Sequence, residues 1–237
     1  PAAVVKANAY GLGIDIIVPA LRDAGCDTFF VAQAQEGADV RRLAAGARIF
    51  VIYGAPKGSE SFLIENRLIP LLCSPEQVER WGTQIQGRTS SLPYGLHIDS
   101  GMNRTGLTLT EARLIGTHAD VLVASGLCHV MTHPACADDP DDAMNAAQRQ
   151  SFQQVQAIFS GVESSFANSA AIMTGGACGG QITRLLMGVA EVVERERDPA
   201  LVIDPTKGGQ ALLQQAVRFV AGTQLAAGQA EVKQAVA

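Results

Sequence analysis

Short apolar or β-branched runs alternate along the chain with stretches whose apolar residues recur every three or four positions, the pattern of repeated βα units around a parallel sheet. Six runs, at residues 3–7, 28–32, 49–53, 68–72, 95–99 and 121–127, predict strands, and weaker ones near 166–168 and 185–189 bring the count to about eight. Helices are predicted over 14–24, 35–44, 60–66, 75–84, 110–118 and 142–159. Ser74-Pro75-Glu76-Gln77 and Thr108-Leu109-Thr110-Glu111 add start signals, a capping residue followed by Pro or Glu. Eight strands with intervening helices predict an α/β fold of the (β/α)8 TIM-type barrel, with a doubly wound open sheet as the alternative. In a barrel the carboxyl ends of all strands converge on one mouth, where such folds place their chemistry. From Glu191 the texture changes to a charged run through Asp198-Pro199, and then to the turn-like Asp204-Pro205-Thr206-Lys207-Gly208-Gly209. A boundary there gives a barrel domain at 1–190 and a linker with the remnant or start of a C-terminal domain at 191–237. Within the latter, 211–225 fits a strand pair as well as an amphipathic helix.

Composition narrows the partners. With 18 Lys and Arg against 23 Asp and Glu the net charge is −5, and no cluster of cations marks a nucleic-acid or anionic-membrane surface, so a small-molecule substrate is the default. The five cysteines are scattered without metal-ligand or redox spacing and read as reduced, mostly buried thiols. No apolar run has membrane-span length and no basic-then-apolar leader is seen, which predicts a cytoplasmic protein. The opening inside a strand, without a methionine, predicts further residues upstream.

The candidate chemistry lies at strand ends. In Ala3-Val4-Val5-Lys6-Ala7-Asn8-Ala9-Tyr10-Gly11 an amine ends a short apolar run. Desolvation favours the neutral form of an amine, and a neutral amine condenses with a carbonyl. A lysine that merely snorkels to water is the alternative. In Asp99-Ser100-Gly101-Met102-Asn103-Arg104-Thr105-Gly106, glycines flank an arginine whose planar fork suits a carboxylate or phenolate. A local Asp–Arg ion pair is the bland reading. His129 and His133 are four apart, but no third ligand accompanies them and Pro134 ends any helix, so no metal is expected. A histidine packed on a bound ring fits at least as well, with a satisfied structural role open for His129. Asn168-Ser169 offers an amide and a hydroxyl suited to a phosphate, or simply a helix cap. Arg184 becomes meaningful only in combination with these groups.

Together the blocks around Lys6, at 97–107 and at 167–171 resemble, in order and approximate spacing, the alanine racemases. The resemblance covers most of residues 1–184 and implies a pyridoxal-5'-phosphate-binding barrel followed by a mostly β domain, acting as a homodimer when full length, with alanine as substrate. It implies that Lys6 carries the cofactor as an imine and is one acid/base group at Cα. Tyr10, Asn168 and Ser169 would reach the phosphate, His133 would pack on the pyridine ring, Arg104 would lie near phenolate and substrate, and Arg184 would bond the ring nitrogen. Lys6, Arg104 and His133 are thus the implied catalytic set. Leu12 and Phe166 stand where members often have histidine, His97 where many carry a modified lysine, and Leu185-Leu186-Met187-Gly188 where the family has Pro-Gly-Ile or similar. The second acid/base group, a tyrosine of the β domain, has no counterpart among Tyr10, Tyr53 and Tyr94. Three readings follow: a racemase interconverting L- and D-alanine, a pyridoxal-phosphate-binding protein or diverged relative with little or no turnover, and a non-binding structural relative.

Overall fold

The computed structural model describes residues 2–86, 88, 91–173, 182 and 184–186; the predicted boundary after 190, the segment 191–237 and Cys178 lie outside the described residues. The strands are β1 (Ala2–Val4), β2 (Thr28–Val31), β3 (Arg48–Val51), β4 (Ile69–Leu72), β5 (Tyr94–His97), β6 (Leu127–Met131), β7 (Glu163–Ser165) and β8 (Arg184–Leu186). They form one sheet in the order β7-β6-β5-β4-β3-β2-β1-β8, every paired neighbour parallel. A doubly wound sheet would reverse its order at a switch point, whereas here β1 to β7 follow one another and β8 returns to the side of β1. The two ends are drawn together: the Ile182 N–H donates to the Ser164 carbonyl at 3.1 Å and the Arg184 N–H to the Ala167 carbonyl at 3.2 Å. The sheet is therefore a (β/α)8 barrel. Around it run α1 (Lys6–Tyr10), α2 (Ile14–Asp23), α3 (Ala34–Leu43), α4 (Glu60–Glu65), α5 (Pro75–Ile85), α6 (Leu109–Gly116), α7 (Ala119–Ser125), α8 (Ala143–Ile158) and α9 (Ser169–Met173).

Strand alternation sorts the core into two shells. Ala3, Phe29, Val31, Ile49, Val51, Leu72 and Leu96 pack outward under the helices. Ala2, Val4, Phe30, Phe50, Leu71 and Met131 fill the barrel. Phe30 and Phe50 stack at 4.8 Å between centroids and are fully buried, each contributing about 2–3 kcal/mol of hydrophobic transfer. The alternation is interrupted between β5 and β6, where Tyr94 pairs with Leu127 but Gly95 with His129. The extra residue, Cys128, is a bulge that shifts the phase of β6. His129 then points into the barrel floor, where it is wholly buried, with Nδ1 3.1 Å from Glu163 Oε1 and Nε2 3.0 Å from Ser165 Oγ. Arg48 closes this floor by gripping Glu163 at 3.0 Å. His129 is the structural histidine and lies at the amino end of the strands, away from the mouth.

Several sequence expectations are corrected. The strand expected at 121–127 is the short helix α7, followed by β6. Val121 and Val123 are 66% and 47% exposed, so their alternation marks no buried sheet face, and Gly126, at φ 122°, ends the helix before the strand starts. The seventh strand lies at Glu163–Ser165 rather than 166–168, and the first stops at Val4, short of residue 7. Of the thiols, Cys26 alone among the described ones is buried, while Cys73, Cys128 and Cys136 are half-buried.

The loop after β3 is fixed by α5. Gln77 Oε1 accepts the N–H groups of Cys73 and Ala55 at 3.1 and 3.2 Å, and Gly54 turns between them at φ +67°. A Cβ on Gly54 would fall 2.1 Å from Gln77 Oε1 and 2.7 Å from the Leu71 carbonyl oxygen. Gly54→Ala is therefore expected to cost about 1–3 kcal/mol, read as a lower urea midpoint with an unchanged slope.

Candidate functional site

The mouth is built from the segments that follow the strands. After β1 the chain enters α1, where Ala7, Asn8, Ala9 and Tyr10 all have φ between 51° and 55°. Four consecutive left-handed residues other than glycine cost roughly 1–2 kcal/mol each, so the turn survives only because its polar groups are tied down. The Ala7 N–H donates to Glu36 Oε1 at 2.8 Å and Ala9 N–H to the Val5 carbonyl at 2.9 Å. Gly11 N–H reaches the Ala7 carbonyl at 3.0 Å, and Asn8 Oδ1 accepts from Ile14 N–H at 2.9 Å, heading α2. The turn lifts Lys6, half-buried, and Tyr10 to one side, with Nζ 5.8 Å from the Tyr10 ring centroid.

After β5, Asp99 does not pair with the Arg104 guanidinium. Its Oδ1 accepts the N–H groups of Gly101 and Asn103 at 2.9 and 3.0 Å, and its Oδ2 that of Arg104 at 3.2 Å. The carboxylate shapes the loop and leaves the Arg104 side chain on the cavity wall. Gln148 of α8, fully buried, joins this loop to the one after β6: its Nε2 donates to Ser100 Oγ at 3.2 Å and the His133 carbonyl at 3.1 Å, and its Oε1 accepts from Ala135 N–H at 2.8 Å. From β8, Arg184 is 4% exposed and donates from Nη2 to the carbonyls of Thr132 and Phe166 at 2.5 and 3.1 Å. Burial, and then Arg104, pull its pKa down to about 10, which leaves it charged at neutral pH.

These segments enclose a cavity of about 490 Å³. Of the residues singled out in the sequence, Lys6, Tyr10, Arg104, His133, Asn168 and Arg184 line it. Ser169 is buried at the head of α9 and is not among the lining residues, and Asn168 Oδ1 also caps that helix by accepting the Ala171 N–H at 3.0 Å. Sequence reasoning missed Tyr53 and Thr105 on the wall, and Glu36 and Gln148 behind it. Tyr53 and Thr105 sit just beyond β3 and within the loop after β5, so strand ends were the signal that would have found them. Among the described residues no cluster of three or more His, Cys, Asp or Glu is placed to hold a metal. Nor is any described helix long and apolar enough to cross a membrane.

Burial, and after it a positive field, keep the histidines at the mouth neutral. Burial, then Arg184 and Arg104, hold His133 down to about 3. The same causes, opposed by Asp99, hold His97 to about 4, and its Nδ1 is buried without a partner among the described residues. Burial lowers His129 as well. An unfolded histidine titrates near 6.5, so between that pH and about 5 the unfolded chain binds protons that the folded chain refuses. Stability therefore rises with pH in this window and is lost as the pH falls. Urea midpoints taken from pH 6.5 to 5 should decline steadily, and His97→Asn should make the decline shallower by about one proton's worth of slope.

The family model described as "Alanine racemase, N-terminal domain" matches residues 1–190. The chain is 46% identical over 175 residues to the alanine racemase of Rhodospirillum rubrum, an alignment covering 73% of this chain and 47% of that protein. With the alanine racemase of Acidiphilium cryptum it shares 43% over 183 residues, 77% of this chain and 51% of the relative. Among solved structures it is similar to alanine racemase from Bartonella henselae with covalently bound pyridoxal phosphate, at TM-score 0.73 and 33% identity over 79% of this chain and 55% of that one. The biosynthetic alanine racemase of Pseudomonas aeruginosa gives a TM-score of 0.68 and 35% identity over 78% of this chain and 51% of that one. The chain spans about half the length of the curated relatives it matches.

Proposed function

Because the chain belongs to the alanine racemase family through its N-terminal domain, we propose that it forms the cofactor-holding barrel of an enzyme that interconverts L- and D-alanine with pyridoxal 5'-phosphate. The observation that carries this reading is the convergence of Lys6, Tyr10, Arg104, His133, Asn168 and Arg184 on one cavity. At about 490 Å³ it has room for a small aromatic phosphate beside an amino acid. The donor set fits: an amine for an aldehyde, two guanidiniums for anionic oxygens and an acceptor nitrogen, and a phenol and an amide for a phosphate. When bound, pyridoxal phosphate supplies the carbonyl and an electron-withdrawing ring that acidifies Cα of an amino acid.

The residues then divide the work. Lys6 would hold the cofactor through its amine and move a proton at Cα on one face. Arg184, a donor that does not surrender its proton, would face the ring nitrogen and leave the ring a modest electron acceptor. Arg104 would orient the phenolate and the substrate carboxylate. His133, held neutral, would pack against the ring without adding charge, and Tyr10 and Asn168 would take the phosphate side, with Ser169, proposed for the same side, buried just behind the wall at the head of α9. We further propose a barrel domain at 1–190 and a linker with the remnant or start of a C-terminal domain at 191–237, in a cytoplasmic homodimer when full length.

Racemisation needs a second proton-transfer group on the opposite face. Tyr94 is spent elsewhere, its hydroxyl lying 3.2 Å from the Leu122 carbonyl and 3.1 Å from Ser125 Oγ. Of the phenols on the cavity wall, Tyr10 is given to the phosphate and Tyr53 is assigned no proton-transfer role. This favours a second reading, cofactor binding and one-sided proton exchange without net racemisation. Incubating the chain with pyridoxal phosphate and L-alanine in heavy water separates the two. D-alanine above the free-cofactor rate supports the racemase; deuterium at Cα of unchanged L-alanine supports the second reading; neither rejects both.

A further inference from the structure

We propose that Glu36, which does not line the cavity, is a positioning residue that presents the Lys6 amine by bridging the left-handed turn behind it to the end of β2. The role rests on the reading of Lys6 as the cofactor-bearing lysine. The strained turn begins immediately after Lys6, and its first N–H, that of Ala7, is taken by Glu36 Oε1 at 2.8 Å. The other oxygen, Oε2, accepts the N–H groups of Ala32 at 2.7 Å and Gln33 at 3.1 Å. Ala32 directly follows β2, and Glu36 lies in the first turn of α3, so one carboxylate joins three consecutive parts of the barrel rim.

A carboxylate is required by the donor count. Three N–H groups converge on two acceptor oxygens. A glutamine has one acceptor oxygen, and its amide nitrogen would set a donor against a donor. An aspartate is one carbon shorter and cannot span both sides. The charge also reaches the far end of the turn, where burial and then Glu36 push the Tyr10 phenol up to about 12. Glu36 thus holds the turn at its first N–H, next to Lys6, and its charge is felt at Tyr10.

The test uses the full chain, wild type and Glu36→Gln, with hydrogen exchange of the peptide carrying Ala7 and titration with pyridoxal phosphate. In Glu36→Gln the Ala7 amide should exchange about tenfold faster or more, and the dissociation constant for pyridoxal phosphate should rise about tenfold, while amides of β2 and β3 keep their protection. A glutamate of purely structural value would lower the unfolding midpoint and leave the cofactor affinity of the folded protein unchanged. Unchanged Ala7 exchange and affinity, or Glu36→Asp behaving as wild type, overturns the proposal. Should Glu36→Gln fail to fold, the same two readouts on Glu36→Asp decide. If the wild type takes up no cofactor at Lys6, the functional reading fails, and Ala7 exchange still tests the bridge.

Discussion

Lys6→Ala should abolish covalent uptake of pyridoxal phosphate and reduce any Cα proton exchange or racemisation by at least about a thousandfold. The expectation follows from position. Lys6 is the side chain on the cavity wall whose amine can form a carbon–nitrogen bond with an aldehyde, and Arg104 and Arg184, the other cations there, cannot. The substitution leaves the fold nearly untouched. Lys6 is half-buried with its Nζ 5.8 Å from the Tyr10 ring, a contact that contributes no more than about 1 kcal/mol, and the left-handed turn behind it is held by backbone and Glu36. A visible absorption band in the wild type that is missing from Lys6→Ala, with equal unfolding midpoints, is the expected pair of results. An identical band in both would place the amine elsewhere.

Arg184→Leu should destabilise the barrel by about 2–4 kcal/mol and raise the pKa values of His97 and His133. Removing the guanidinium leaves the carbonyls of Thr132 and Phe166 without the donor they share, each a loss of about 1–3 kcal/mol at a buried site. Part of that is returned because a buried charge no longer has to be desolvated. Among the charges that hold down His97 and His133, Arg184 ranks first for both, so its loss lets them climb toward the usual histidine value. The sign for stability follows: with folded values closer to 6.5, the folded chain refuses fewer protons between pH 6.5 and 5, and the acid loss of stability becomes shallower. Titrating the imidazole resonances and repeating the urea series checks both. Unmoved imidazoles would mean that the arginine does not set the field at the mouth.

The strand core was legible because runs such as Thr28–Val31 and Arg48–Val51 are apolar on both faces, as a sheet lying between helices and a filled barrel requires. Lys6, Arg104, His133 and Asn168 were legible for a related reason: each follows a strand closely, and in a barrel strand ends converge. Where the reading failed, a tertiary or backbone effect had no local signature. Val121 and Val123 alternate like a strand but face water in α7. The bulge at Cys128 that sends His129 to the floor and leaves His133 at the mouth appears only when β5 and β6 are paired. Ala7-Asn8-Ala9-Tyr10 would pass for strand or ordinary helix, and besides local backbone and Asn8 bonds its left-handed path is accompanied by a contact with Glu36, 29 residues away from Ala7. Gln148 reads as a polar position on a helix, yet it is fully buried and ties the loops after β5 and β6 together.

The chain has four lysines, Lys6, Lys57, Lys207 and Lys233, so the attachment point of the cofactor can be read unambiguously. Borohydride reduction of the protein with pyridoxal phosphate, followed by peptide mass analysis, should place one stable phosphopyridoxyl group on the peptide containing Lys6 and none on the others. Label confined to Lys57, Lys207 or Lys233, or no label at stoichiometric cofactor, would contradict the assignment of this barrel mouth as a pyridoxal-phosphate site.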